Sequence, residues 1–144
     1  MSHTGGCRCG AVRFSFTAEP LIVRVCWCRD CQYVAAGGGA VNAMFPTQGM
    51  TVQGEMADFA SVADSGTPMH RRFCPTCGTP LFSQAETRPQ IVAVRVGALD
   101  DPKSVRPEVT IWTASAPEWA CIAADLPTFA GQPPPPTVHA PPPR

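Results

Sequence analysis

Seven of the eight cysteines in this 144-residue chain fall in three tight clusters, and this clustering limits the possible folds more than any other feature. The clusters are Cys7-Arg8-Cys9, Cys26-Trp27-Cys28-Arg29-Asp30-Cys31 and Cys74-Pro75-Thr76-Cys77, with Cys121 set apart. Small disulfide scaffolds carry cysteine at more than roughly 8–10% of residues, a density this chain does not reach. The stretch from Met1 to Cys7 has no basic segment followed by an apolar one, so no secretory signal is expected and a cytoplasmic location is. In a reducing compartment clustered thiols are metal ligands or catalytic groups more often than disulfides.

Composition narrows the class further. A hydrophobic share of 44% in 144 residues suffices for one core of ordinary size and excludes a disordered chain. Charged residues make up 15%, and eleven Lys and Arg balance eleven Asp and Glu, so neither nucleic acid nor an anionic membrane is an expected partner. The richest apolar run, Ile91 to Val96, is far shorter than the roughly 18 residues needed to span a bilayer. Seven of the 17 prolines lie in the last twelve residues, which predicts a Pro-rich tail over 131–144 and a single folding unit over 1–130.

Within that unit the hydrophobic period is two. Val12, Phe14 and Phe16 alternate with Arg13 and Ser15, and Val41, Ala43 and Phe45 alternate with Asn42 and Met44. Leu21 to Val25, Ile91 to Val96 with Arg95 inside it, and Val109 to Trp112 have the same β-branched character, while Gly and Pro punctuate the gaps. Only a short turn through Gln32 to Ala36 and another around Met56 to Val62 suggest helix. A mainly β, mostly antiparallel fold with long loops is therefore expected.

The cysteine spacings divide into two kinds. Cys74-Pro75-Thr76-Cys77-Gly78 reads as a zinc knuckle, in which a tight turn brings two thiolates together and Gly78 is free to take a positive φ. A C-x-C in an extended chain places both thiolates on one face, so Cys7 and Cys9 can meet Cys74 and Cys77 at the sulfur separation of about 3.8 Å that a tetrahedral zinc requires. Cys26, Cys28 and Cys31 instead cap one face of a tetrahedron and leave its fourth corner open, as catalytic zinc sites do. Three thiolates on a divalent ion leave one negative charge against two for four, which makes the open site the better Lewis acid. Two other partitions compete. Cys28 and Cys31 can form a ribbon with Cys74 and Cys77, or Cys121, His70 or His3 can close the trio, although Cys121 lies in an apolar stretch suited to a core thiol and His70 reads as an exposed strand residue.

Gly6-Cys7-Arg8-Cys9-Gly10-Ala11-Val12-Arg13-Phe14, the C-x-C-x-x-C trio and Arg72-Phe73-Cys74-x-x-Cys77-Gly78-x-x-Leu81-Phe82 together resemble the glutathione-dependent formaldehyde-activating enzyme family, also called the centromere-protein-V-type domain. The resemblance continues through Ile111-Trp112 and Leu126-Pro127-x-Phe129 and spans nearly all of 1–131. It implies a β-tent fold related to zinc-ribbon folds and built from several small antiparallel sheets. It implies two zinc ions per chain, a structural one on Cys7, Cys9, Cys74 and Cys77 and a second on Cys26, Cys28 and Cys31. The implied activity is that of a carbon–sulfur lyase forming S-(hydroxymethyl)glutathione from glutathione and formaldehyde. The chain departs from the family pattern at three places: Trp27 replaces a usual histidine, Thr110 another, and Gln32-Tyr33 stands where a basic residue often follows the trio.

Three functions are thus in view: a zinc-dependent lyase acting on a small thiol such as glutathione, a non-catalytic zinc-stabilised binding module, and a thiol metal-storage or redox protein. The open trio favours the first, with Cys26, Cys28 and Cys31 as the catalytic metal's ligands. Trp27 at the site mouth or beneath the metal loop, Arg29 and Arg72, together with Asp30 and the Gly37-Gly38-Gly39 loop, are the candidate contacts for a carboxylated thiol.

Overall fold

The period-two segments form two sheets in a computed structural model that describes residues 2–138. In chain order the strands are β1 (His3–Gly6), β2 (Arg13–Phe16), β3 (Ile22–Cys26), β4 (Ala40–Pro46), β5 (Met50–Gln53), β6 (Ala57–Val62), β7 (Pro68–Phe73), β8 (Pro80–Ala85), β9 (Ile91–Arg95) and β10 (Val109–Ile111). The smaller sheet runs β1-β2-β5 and the larger β10-β3-β4-β9-β8-β7-β6. The pairings are antiparallel except that of β10, which lies parallel to β3. The fold is mainly β, as the alternation implies.

Alternation decides what each face of the larger sheet does. On β3, β4 and β9, Val23, Ala43, Phe45, Val92 and Val94 point toward the smaller sheet and meet Val12, Phe14 and Phe16 in one buried cluster. Phe16 stacks on Phe45 at 4.3 Å between ring centroids, and Phe14 meets Phe82 edge-on at 5.0 Å. Each such ring contributes about 1.5–3 kcal/mol by leaving water. The intervening residues point to the other face. There the register sets Arg24 of β3 opposite Asn42 of β4, and Asn42 opposite Arg95 of β9.

The helix α1 (Arg29–Val34) packs on that second face directly after β3. It starts three residues before the expected turn because Cys28 caps it, its sulfur accepting from the Cys31 N–H at 3.4 Å. It stops at Ala35, and the chain then leaves through Ala36 at φ 55 and Gly37 at φ 99, a left-handed exit that glycine adopts without strain. The turn expected around Met56 to Val62 is instead β6. This strand is the outer edge of the larger sheet and leaves Phe59 and Val62 exposed, so it carries no burial alternation for a sequence pattern to reveal.

The chain beyond β10 wraps back over the second face. Thr110 exchanges backbone bonds with Pro127 and Phe129, and the Trp112 N–H donates to the Gly131 carbonyl. The first residues of the Pro-rich segment are therefore held against the body, with Pro133 buried. His139 and Pro141 to Pro143 of that segment lie outside the described residues. Cys121, expected in the core, is exposed: Trp119 beside it is 71% accessible, and neither belongs to a strand or to a core cluster.

Candidate metal centres

The four cysteines of the knuckle and the C-x-C converge from two loops, one between β1 and β2 and one between β7 and β8. Their sulfurs all lie within 4.8 Å of one another, with Cys7 to Cys9 at 3.6 Å and Cys9 to Cys74 at 3.7 Å. These separations approach the edge of about 3.8 Å of a tetrahedron around zinc. The backbone shapes each loop. The Gly10 N–H donates to the Cys7 carbonyl and the Gly78 N–H to the Cys74 carbonyl, and both glycines hold positive φ, 84 and 76. The Arg8 N–H donates to the Thr79 hydroxyl at 3.0 Å and so ties the loops together.

Electrostatics in this cluster favour a cation. The hydroxyl and backbone amide of Thr79 pull the Cys77 thiol down to about 5. Although the Ala11 amide stabilises a thiolate at Cys9, its neighbour Cys7 and burial push that thiol up to about 11. Four thiols at contact cannot all ionise against one another, whereas a soft divalent ion accepts all four.

The trio forms a second cluster, Cys26 at the end of β3, Cys28 capping α1 and Cys31 in its first turn, with sulfurs within 4.8 Å. Among the described residues no fourth His, Cys, Asp or Glu joins it, and His3, His70 and Cys121 are all engaged or placed elsewhere. His3 bonds to Glu19 at 2.9 Å, and half-buried His70 bonds to Asp58 at 2.7 Å. Cys28 and Cys31 do not join Cys74 and Cys77, so the ribbon partition is not the one formed.

Inside the trio the negative charge settles on Cys31, whose thiol is drawn down to about 2 by donation from Cys26 and Cys28 and then by Arg95 and Asn42. The Arg95 guanidinium lies 3.9 Å and the Asn42 amide 3.7 Å from the Cys31 sulfur. Cys26 is pushed up by the same two thiols and by burial. For Cys28 the influence of Cys31 and burial outweighs the lowering by Cys26, giving about 11.

All three sulfur-bearing residues line a cavity of about 160 Å³ on the second face of the larger sheet. Its lining includes Arg24, Asn42, Arg71 and Arg95, together with Trp112, Gln132, Pro133 and Pro135. The Trp112 indole N–H donates to the Gln132 side-chain Oε1 at 2.9 Å, which ties the start of the proline segment to the cavity lining. Trp112 does so from a left-handed conformation, φ 60, that a bulky residue adopts only when its surroundings impose it.

The other residues singled out by sequence take varied places. Trp27 is buried beneath the metal loop against Gly39, where any Cβ on the glycine would come within 2.8 Å of the indole. Arg29 donates to Gln32 at 2.6 Å and covers the Tyr33 ring, outside the cavity lining. Arg72 donates to Gln84 at 2.9 Å and lines a separate apolar hollow with Phe59 and Phe73. Asp30 pairs with Arg71 at 3.2 Å on the cavity wall. Sequence reasoning did not single out Arg24, Asn42, Arg71 or Arg95 as site residues. The signal for three of them was a charged or amide side chain inside a β-branched strand, which is costly unless that face is polar.

A family model described as glutathione-dependent formaldehyde-activating enzyme matches residues 2–115. A protein of Halomonas elongata that bears this name provisionally is 30% identical over 126 residues, covering 82% of this chain and 79% of the relative. A crystal structure of a Rhodobacter sphaeroides protein from a structural genomics effort superposes with a TM-score of 0.54 at 25% identity, over 70% of this chain and 93% of that one. Both cysteine clusters fall inside the matched residues. The chain belongs to the glutathione-dependent formaldehyde-activating enzyme family.

Proposed function

We propose that the protein is a zinc-dependent carbon–sulfur lyase that joins a small thiol, glutathione, to formaldehyde and yields S-(hydroxymethyl)glutathione. The observation that carries this reading is the trio: three thiols grouped on the wall of a cavity with no fourth protein ligand among the described residues. Zinc at this position, when bound, supplies a Lewis acid that eases loss of the substrate thiol's proton. Cys26, Cys28 and Cys31 provide three donors and leave one position for the substrate sulfur. Arg95 and Asn42 donate to the Cys31 sulfur and hold it in place. The substrate sulfur then forms the carbon–sulfur bond to formaldehyde, and the proton it has lost goes to the former carbonyl oxygen. Gln132 and Pro133 line the same cavity, where they take up room that water would otherwise fill.

The four-cysteine cluster has a structural role in this reading, because it joins the two sheets and opens onto no part of that cavity. A cytoplasmic setting suits it, since seven clustered thiols persist as metal ligands where disulfides are reduced. Adduct formation followed by NMR against an uncatalysed blank tests the proposal. A rate that rises in proportion to protein and returns to the blank with Cys28→Ser is expected; no rate above the spontaneous reaction sinks it.

A further inference from the structure

Besides the trio, the cavity is lined by charged and amide side chains that metal binding does not require. Arg24, Asn42 and Arg95 are direct cross-strand partners on β3, β4 and β9, so their side chains stand in one row on the same face. Arg95 is 7% exposed and spends one nitrogen on the Asn42 side-chain Oδ1 at 2.7 Å, while its Nε finds no partner among the described residues. The Arg24 Nε is likewise buried without a partner among the described residues, while its Nη2 donates to the Met44 sulfur at 3.5 Å. Among the described residues neither guanidinium meets a carboxylate. A buried, unpartnered guanidinium nitrogen is costly, and two in one row call for an acceptor that arrives with a ligand.

Charge points the same way. Four arginines line the cavity against two aspartates, and three thiolates on a divalent ion carry one further negative charge, which leaves one positive charge unmatched. Arg71 is already satisfied by Asp30. The surplus is therefore shared by Arg24, Arg88 and Arg95, of which Arg24 and Arg95 stand in one row with Asn42. A carboxylate there offsets the surplus and gives the buried guanidinium nitrogens an acceptor in place of the water they have lost.

We infer that the row Arg24, Asn42 and Arg95 is a carboxylate-binding subsite beside the trio, so that the protein selects thiols that carry an acid group a short distance from sulfur. This rests on the trio being the thiol-binding end, as proposed above. The subsite differs from the contacts expected at Arg29 and Arg72, neither of which lines this cavity.

Calorimetric binding to the zinc-loaded protein tests it with two acid and ester pairs: glutathione and its diethyl ester, and 3-mercaptopropionate and its methyl ester. Each acid is expected to bind at least about tenfold more tightly than its ester, the scale of a charge-assisted hydrogen bond. Arg24→Gln should shrink that ratio to about twofold or less while leaving ester affinity and zinc content unchanged, and Arg24→Lys should keep most of it. Equal binding of acid and ester, a ratio that survives Arg24→Gln, or no binding by any of the four overturns the subsite. If Arg24→Gln does not fold, the acid to ester ratio of the unmodified protein decides alone. If 3-mercaptopropionate shows the ratio and glutathione does not bind, the subsite stands and the glutathione reading falls.

Discussion

Replacing Cys77 by serine isolates what the four-cysteine cluster contributes to stability. Cys77 is exposed, so its sulfur fills no core volume and the substitution opens no cavity. What changes is the ligand set, because a serine hydroxyl stays protonated at neutral pH and is a poor donor to zinc. A structural zinc site contributes about 10–16 kcal/mol of apparent binding free energy, so loss of one donor in four removes at least about 3 kcal/mol. For 144 residues the entropy of unfolding at roughly 2.1 cal/mol/K each amounts to about 0.3 kcal/mol/K, so that loss lowers Tm by about 10 °C or more. Cys28→Ser is the matched control. Cys28 caps α1 through its sulfur, serine is itself a good N-cap, and the trio binds one face of one sheet rather than joining two. Its Tm should fall by less than about 4 °C. Scanning calorimetry of the zinc-loaded variants makes the comparison. If both lose stability equally, or Cys77→Ser melts within about 2 °C of the parent, the division into structural and open sites is wrong.

Three further outcomes follow from the packing. Phe16→Ala removes a fully buried ring stacked on Phe45, and urea unfolding should show a loss of about 3–5 kcal/mol, with a value under about 1 contradicting the core assignment. Gly5→Ala places a Cβ 2.3 Å from the Ala98 carbonyl oxygen and 2.4 Å from the Phe14 ring, and since backbone cannot yield as a side chain does, a loss of about 1–3 kcal/mol is expected in the same assay. Cys121→Ser should change stability by less than about 0.5 kcal/mol and leave the metal content as it was, because the residue is exposed and belongs to neither cysteine cluster. A loss of metal in that variant, read by elemental analysis, would show that Cys121 is a ligand after all.

The strands that bury one face were legible because Phe14 and Phe16, and Ala43 and Phe45, recur at every second position in a period that burial itself imposes. Strands that bury neither face were not. β6 is an edge whose apolar Phe59 and Val62 face solvent, and β5 is short and half exposed, so periodicity carries no information about them. The two cysteine clusters were legible because ligand geometry is local: a C-x-C and a C-x-x-C each fix a pair of sulfurs within a few residues. The polar row was not, because Arg24, Asn42 and Arg95 come together only through the register of three strands, a long-range property that spacing does not encode. Cys121 misled for a related reason. Its apolar neighbours Trp119 and Ile122 resemble a core segment, yet the chain there is irregular and lies against neither cluster.

The division of seven cysteines into a closed and an open metal site is tested most directly by native mass spectrometry during challenge with a chelator. The account predicts two zinc ions per chain. The ion on Cys26, Cys28 and Cys31 should leave first, with the protein still folded, and the ion on Cys7, Cys9, Cys74 and Cys77 only as the chain unfolds. A single metal, or two that resist the chelator equally, would contradict it.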